Sequence, residues 1–140
     1  MHSTIYRTSP DHLATKLGIK VRSASPPLGW WGVYDHTKKL ITLHPDLSPV
    51  QYRCTLMHEL GHAHYGHQGV TGKQEAQANR WAAHQLLSLD DVMEHAKTEL
   101  HAQELAALLG VLPTVLQTFV ETLDIKSAER RLCYLQRQAA

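Results

Sequence analysis

The sequence predicts an α+β fold: a small N-terminal antiparallel sheet packed on one long helix, followed by a helical C-terminal part. Three observations predict it. The short β-prone runs fall before residue 44. Two capping-box signals and several further helix starts follow from Ser48 onward. No linker-like, repetitive or low-complexity stretch separates the two regions, so residues 1–140 are expected to form one domain.

Asp11 to Leu17 reads as a short helix ended by Gly18, and Ile19 to Ala24 as a strand. Ser25-Pro26-Pro27 is a break. Gly29 to Tyr34 and Leu40 to Leu43 are β-prone runs joined by the polar segment Asp35 to Lys39, which predicts a hairpin. Ser48 then offers an N-cap, Pro49 suits the first helical position, and Gln51 completes a capping box. This helix should run to Tyr65, with Gly66 and Gly69 ending it. Thr71-Gly72-Lys73-Gln74 is a second capping box, opening a helix to Leu87. Further helices are expected from Ser88-Leu89-Asp90-Asp91, over His101 to Leu109 with Gly110 as the stop, over Pro113 to Leu123, and over Ser127 to Arg137.

Composition narrows the function classes. The 140 residues are 43% hydrophobic, which suits a packed core rather than a disordered tail. A net charge of +1 argues against a broad electrostatic footprint for nucleic acid or anionic membrane. The two cysteines, Cys54 and Cys133, form no paired or zinc-spaced pattern, and Cys54 reads as a core residue. Met1 to Pro10 has no apolar core of a secretory signal, and no apolar run approaches the roughly 20 residues that span a bilayer. The expected location is the cytoplasm. The unusual number is eleven histidines, and spacing must decide what they do.

Residues 58–62 read His-Glu-Leu-Gly-His. Helix positions four apart share a face, with Cβ atoms about 5–6 Å apart, so His58 and His62 can aim at one ion. Glu59 lies about 100° further round and flanks that ion, where a general base for a water belongs. Two surface histidines on an amphipathic helix would give the same string. Against that stand the capped helix around the motif and its apolar neighbours Cys54, Leu56, Met57 and Leu60, since buried imidazoles and carboxylates need partners. Gly61 lowers helix stability and makes sense if something packs close against that turn. A catalytic zinc takes three protein ligands and leaves one position open. Glu75, in the first turn of the next helix, is the best third ligand, because a helix–loop–helix return brings it back over the histidines. Asn79 shares its face and can hold a ligating imidazole by a hydrogen bond. The expected cofactor is Zn2+, although His₂Glu also admits other first-row ions.

At this point the chain resembles the ImmA/IrrE family of metallopeptidases. The matching stretches are CTLMHELGHAHYGH (residues 54–67) and EAQANRWAAHQLL (residues 75–87). The second meets the family form ExxAN, then an aromatic and Ala, with Glu75, Ala78, Asn79, Trp81 and Ala82. The family's usual Leu-Leu-Met-Pro ending is Leu86-Leu87-Ser88-Leu89 here. The resemblance implies a zincin-like peptidase of the HExxH-plus-Glu type, with His58, His62 and Glu75 on zinc and Glu59 as base. It also implies a protein substrate, a helix-turn-helix repressor of phage or mobile-element regulation whose cleavage relieves repression. The rival reading is a non-proteolytic module that docks on a repressor, its zinc site structural or vestigial.

A zincin also needs a donor to the developing oxyanion. Tyr65, on roughly the ligand face, is one such catalytic expectation, and His67 is another. His64 falls on the far side of its helix, and His84 about 180° from Glu75. His2, His12, His36, His44, His95 and His101 have no spacing argument. Gln103 to Leu123 has a helix–Gly–helix pattern, but Thr114 to Leu123 carries no Lys or Arg, so packing is expected rather than direct nucleic-acid binding. Lys126, Arg130, Arg131 and Arg137 read as a solvated helix face. Leu40 to Leu43 is expected as an edge strand that pairs with extended substrate.

Overall fold

The computed structural model describes residues 9–97 and 99–139. His2 and the expectation about the first residues, apart from Ser9 and Pro10, lie outside them. Helix α1 spans Pro10–Lys16. It starts a residue earlier than expected because Ser9 is the cap, its Oγ accepting from His12 N at 3.1 Å. Gly18, at φ 72°, reverses the chain into strand β1, Lys20–Ser23. A single 3₁₀ turn at Pro27–Gly29, closed by Trp30 N donating to Pro27 O, delays strand β2 to Gly32–Asp35. Strand β3 is Leu40–Leu43 as expected.

The sheet order is β1-β3-β2, with β1 parallel and β2 antiparallel to β3. The sheet is therefore mixed, not wholly antiparallel. The hairpin pairs β2 with β3 locally, but residues 24–31 carry the chain past β3, so β1 meets it from the other side in the same direction. Apolar alternation sets which face is buried and leaves the direction of the partner open. This order also corrects the expectation for Leu40 to Leu43. That strand is central, with Ile41 and Leu43 fully buried, and β2 takes the edge.

Helix α2, Pro49–Tyr65, begins with the expected capping box: Gln51 N donates to Ser48 Oγ and Ser48 N to Gln51 Oε1. Its Leu56, Met57 and Leu60 pack into the core with Ile41 and Leu43 of the sheet. Each such fully buried side chain stabilises the fold by about 1.5–3 kcal/mol. Helix α3, Gly72–Leu86, opens with the second capping box on Thr71 and Gln74. Helices α4 (Leu89–Ala96), α5 (Ala102–Leu109), α6 (Pro113–Glu121) and α7 (Ile125–Ala139) complete the described residues. Helix α7 starts two residues before the expected Ser127, because Asp124 Oδ1 caps it by accepting from Lys126 N and Ser127 N. Its Arg131 is held by Asp90 of α4, with Nε 2.8 Å from Oδ1, so part of the basic face is paired.

Helices α5 and α6 meet at 99°, and their Leu109, Leu116 and Phe119 are buried in the core. The would-be recognition helix is thus committed to packing. Among the described residues no single helix is long and apolar enough to cross a membrane.

The contact that positions the site is between α2 and α3. A Cβ at Gly61 would lie 3.0 Å from both Cα and O of Ala78. A side chain at this position would press on the backbone of Ala78 and push the helices apart by a few tenths of an ångström, which is the packing role anticipated for Gly61.

Candidate metal centre

Helix α2 puts His58 and His62 one turn apart, with Nε2 to Nε2 at 3.2 Å. The close crossing at Gly61 brings the first turn of α3 over them. Glu75 Oε1 then lies 2.7 Å from His62 Nε2, and Oε2 3.2 Å from His58 Nε2. Four donor atoms from three side chains converge on one point. A tetrahedral ion with bonds of about 2.0–2.2 Å has its ligand atoms roughly 3.3 Å apart. The two 3.2 Å separations are close to that spacing, and the 2.7 Å contact between His62 and Glu75 is that of a hydrogen bond, so the three side chains can supply such a donor set after a small adjustment.

Glu59 also belongs to this cluster, since His58, Glu59 and His62 offer ligand atoms within 4.8 Å of one another. The contacts separate the roles of the two carboxylates. Glu75 touches both Nε2 atoms directly, whereas Glu59 is buried, 5% exposed, under strand β2. A Cβ at Gly32 would lie 3.3 Å from Glu59 Cγ and 2.8 Å from Thr55 Cγ2. Gly32 therefore lets β2 press against the side chain of the expected base.

Burial sets the proton affinities. It pushes Glu59 up to about 8, and the neighbouring Glu75 charge adds to this. Burial lowers His58 against the opposing pull of Glu75 and Asn79. It lowers His62 too, with His58 adding to the effect. Both rings are held toward the neutral form that a metal ligand requires. Among the described residues Nδ1 of His58 is buried without a hydrogen-bond partner, so the support expected from Asn79 is not seen at that nitrogen, although Asn79 lines the same cleft.

His67 is placed differently from the expectation. It is buried, with Nδ1 2.9 Å from His62 Nδ1 and Nε2 2.9 Å from Gln77 Oε1. It backs the ligand ring rather than offering a free donor to substrate. Tyr65 is not brought into the cleft. Its ring is about half exposed and stacks on His67 at 5.4 Å and 14°. Although position 65 falls near the ligand face of α2, the ring lies against His67 and does not line the cleft, so the oxyanion expectation for Tyr65 is not supported. Gln77 carries no signal of its own in the sequence, where it is one polar residue among others on a helix.

The remaining histidines stand elsewhere. His64 stacks on Trp81 at 5.0 Å, and His84 bonds Thr122 Oγ1 at 2.8 Å beside Phe119. His36, His44 and His95 make local hydrogen bonds with Tyr34, the Asp46 amide and the Asp91 carbonyl.

The cluster opens into a cleft of about 730 Å³. It is lined by β2 with Trp30 and Trp31 before it, and by Leu112, Thr114 and Val115 at the start of α6. Val70, in the loop between α2 and α3, also lines it and is exposed. Cys54 is buried, as expected, and also faces this cleft. The arrangement can hold a divalent ion, present a buried carboxylate beside it, and accept an extended chain along a sheet edge.

A model of the peptidase family described as the IrrE N-terminal-like domain matches residues 14–120. No curated protein matches the chain. The match spans the sheet, the paired helices of the site and most of α6, and the chain belongs to this metallopeptidase family.

Proposed function

We propose that this member of the family is a zinc-dependent endopeptidase that cleaves a helix-turn-helix transcriptional repressor and so relieves repression. The observation that carries the peptidase reading is the convergence of His58, His62 and Glu75 on one point, beside the buried carboxylate of Glu59 and at the floor of a cleft. The repressor as substrate rests on the family resemblance of residues 54–67 and 75–87. His58, His62 and Glu75 hold the ion. When bound, zinc supplies a Lewis acid that polarises the scissile carbonyl and acidifies a water.

The chain's own groups do the rest. Glu59 accepts a proton from the attacking water and returns it to the leaving amine nitrogen as the C–N bond breaks. The free edge of β2 aligns the substrate by adding it as a strand. The apolar walls Trp30, Trp31, Leu112 and Val115 favour apolar side chains next to the scissile bond.

The test pairs the protein with a repressor encoded beside its gene. Wild type should yield two defined fragments by mass spectrometry, and Glu59→Gln should yield none while keeping its zinc. Retained turnover in Glu59→Gln would refute the assigned base. Derepression in cells by Glu59→Gln without cleavage would favour the docking module.

A further inference from the structure

We infer that His67 and Gln77 form a hydrogen-bonded relay that holds His62 in the tautomer with Nε2 bare, and so fix its strength as a metal ligand. This rests on the reading of His58, His62 and Glu75 as the metal site. A ring that binds a metal through Nε2 keeps its proton on Nδ1 and needs an acceptor there. The only group within hydrogen-bond distance of His62 Nδ1 among the described residues is His67 Nδ1, at 2.9 Å. His67 must then accept at Nδ1 and carry its own proton on Nε2. At 2.9 Å from that nitrogen stands Gln77 Oε1, an acceptor, so every proton in the chain of three side chains has a place.

The backbone builds the relay. Gly66, at φ 68°, ends α2 in the left-handed region. His67 N donates to His62 O at 2.9 Å and Gly66 N to Ala63 O at 3.1 Å. This six-to-one and five-to-two closure lays the residue after the glycine over the residue that begins the last turn. Here those residues are His67 and His62, so the helix ending itself delivers the second ring to the first. Tyr65, stacked on the face of His67, restrains its rotation. His67 and Gln77 are positioning residues, since they act through Nδ1 of His62 rather than on the Nε2 cluster itself.

The experiment measures zinc affinity by chelator competition for wild type, His67→Leu and His67→Asn. Long-range proton–nitrogen spectra of the zinc-loaded wild type accompany it. Asn can place its Oδ1 where His67 Nδ1 stands, and Leu cannot accept. Loss of a hydrogen bond behind a ligating histidine weakens metal binding about 10–100-fold. The expected result is that weakening in His67→Leu, recovery to within about threefold of wild type in His67→Asn, and protons on Nδ1 of His62 and Nε2 of His67. Three results would overturn the relay: His67→Leu binding zinc as wild type does, equal losses in both variants, or a His67 proton on Nδ1. If His67→Leu does not fold, the wild-type spectrum and His67→Asn still decide. Wild type that takes up no zinc would overturn the metal-site reading itself, which distinguishes that failure from failure of the relay alone.

Discussion

Glu59 shows at the scale of one residue how the site opposes its own fold. The carboxyl is pushed from an ordinary 4.5 up to about 8, mostly by burial. Between those values the native state binds more protons than the unfolded state, so stability falls as pH rises through this window. His58 and His62 act in the opposite sense, because their folded proton affinities are lowered. Below about 6.5 the unfolded state takes up protons that the native rings refuse, and their contribution is lost as pH falls. The two trends are separable by substitution. In metal-stripped protein, denaturant unfolding should show Glu59→Gln gaining stability relative to wild type as pH rises from about 5 to 8. A difference independent of pH would mean that Glu59 titrates normally. The histidine pair and Glu59 were legible in the sequence because their relation is local, four residues and one residue along a single helix. His67 is expected as an oxyanion donor, but both its ring nitrogens face side chains of the protein, His62 and Gln77. The sign of its role lies in the Gly66-His67 pair, where a helix-ending glycine predicts that the following side chain folds back one turn.

The element that makes the site is the α2–α3 pair. Two capping boxes start these helices within a residue of where the sequence places them, since a cap is a short-range signal that tertiary packing seldom overrides. Glu75 follows from that geometry. The distance between the helices is set at Gly61, where an added methyl would meet backbone atoms of Ala78. Backbone cannot rotate aside as a side chain can. Gly61→Ala should therefore lower stability by about 1–3 kcal/mol despite the better helix propensity of alanine. It should also weaken zinc binding, because α3 carries Glu75 and would be displaced outward. Denaturant unfolding and chelator competition on the same sample check both effects. Stabilisation with unchanged zinc affinity would show that the helices have room to spare.

At the scale of the whole molecule, the mixed sheet decides which strand meets substrate. The run Leu40 to Leu43 has the composition of a strand, but strand order depends on how the chain crosses residues 24–31, and no local pattern encodes that path. The order β1-β3-β2 leaves β2 at the cleft. His44 N donates to Trp31 O, and antiparallel alternation from that pair turns the amide of Tyr34 toward the open edge. Tyr34→Pro removes this amide, while Tyr34→Ala removes only the ring. With a cleaved substrate in hand, Tyr34→Pro should lose about tenfold more kcat/KM than Tyr34→Ala, near the net worth of one hydrogen bond, with zinc content unchanged in both. Equal losses would place the substrate elsewhere. All of these expectations depend on one property, that the three converging side chains hold a metal ion. Elemental analysis of the purified protein beside His58→Ala and Glu75→Ala tests it most directly. About one zinc per chain is expected in wild type, with its loss or sharp reduction in both variants. Wild type without metal after zinc is supplied, or zinc retained in full by both variants, would contradict it.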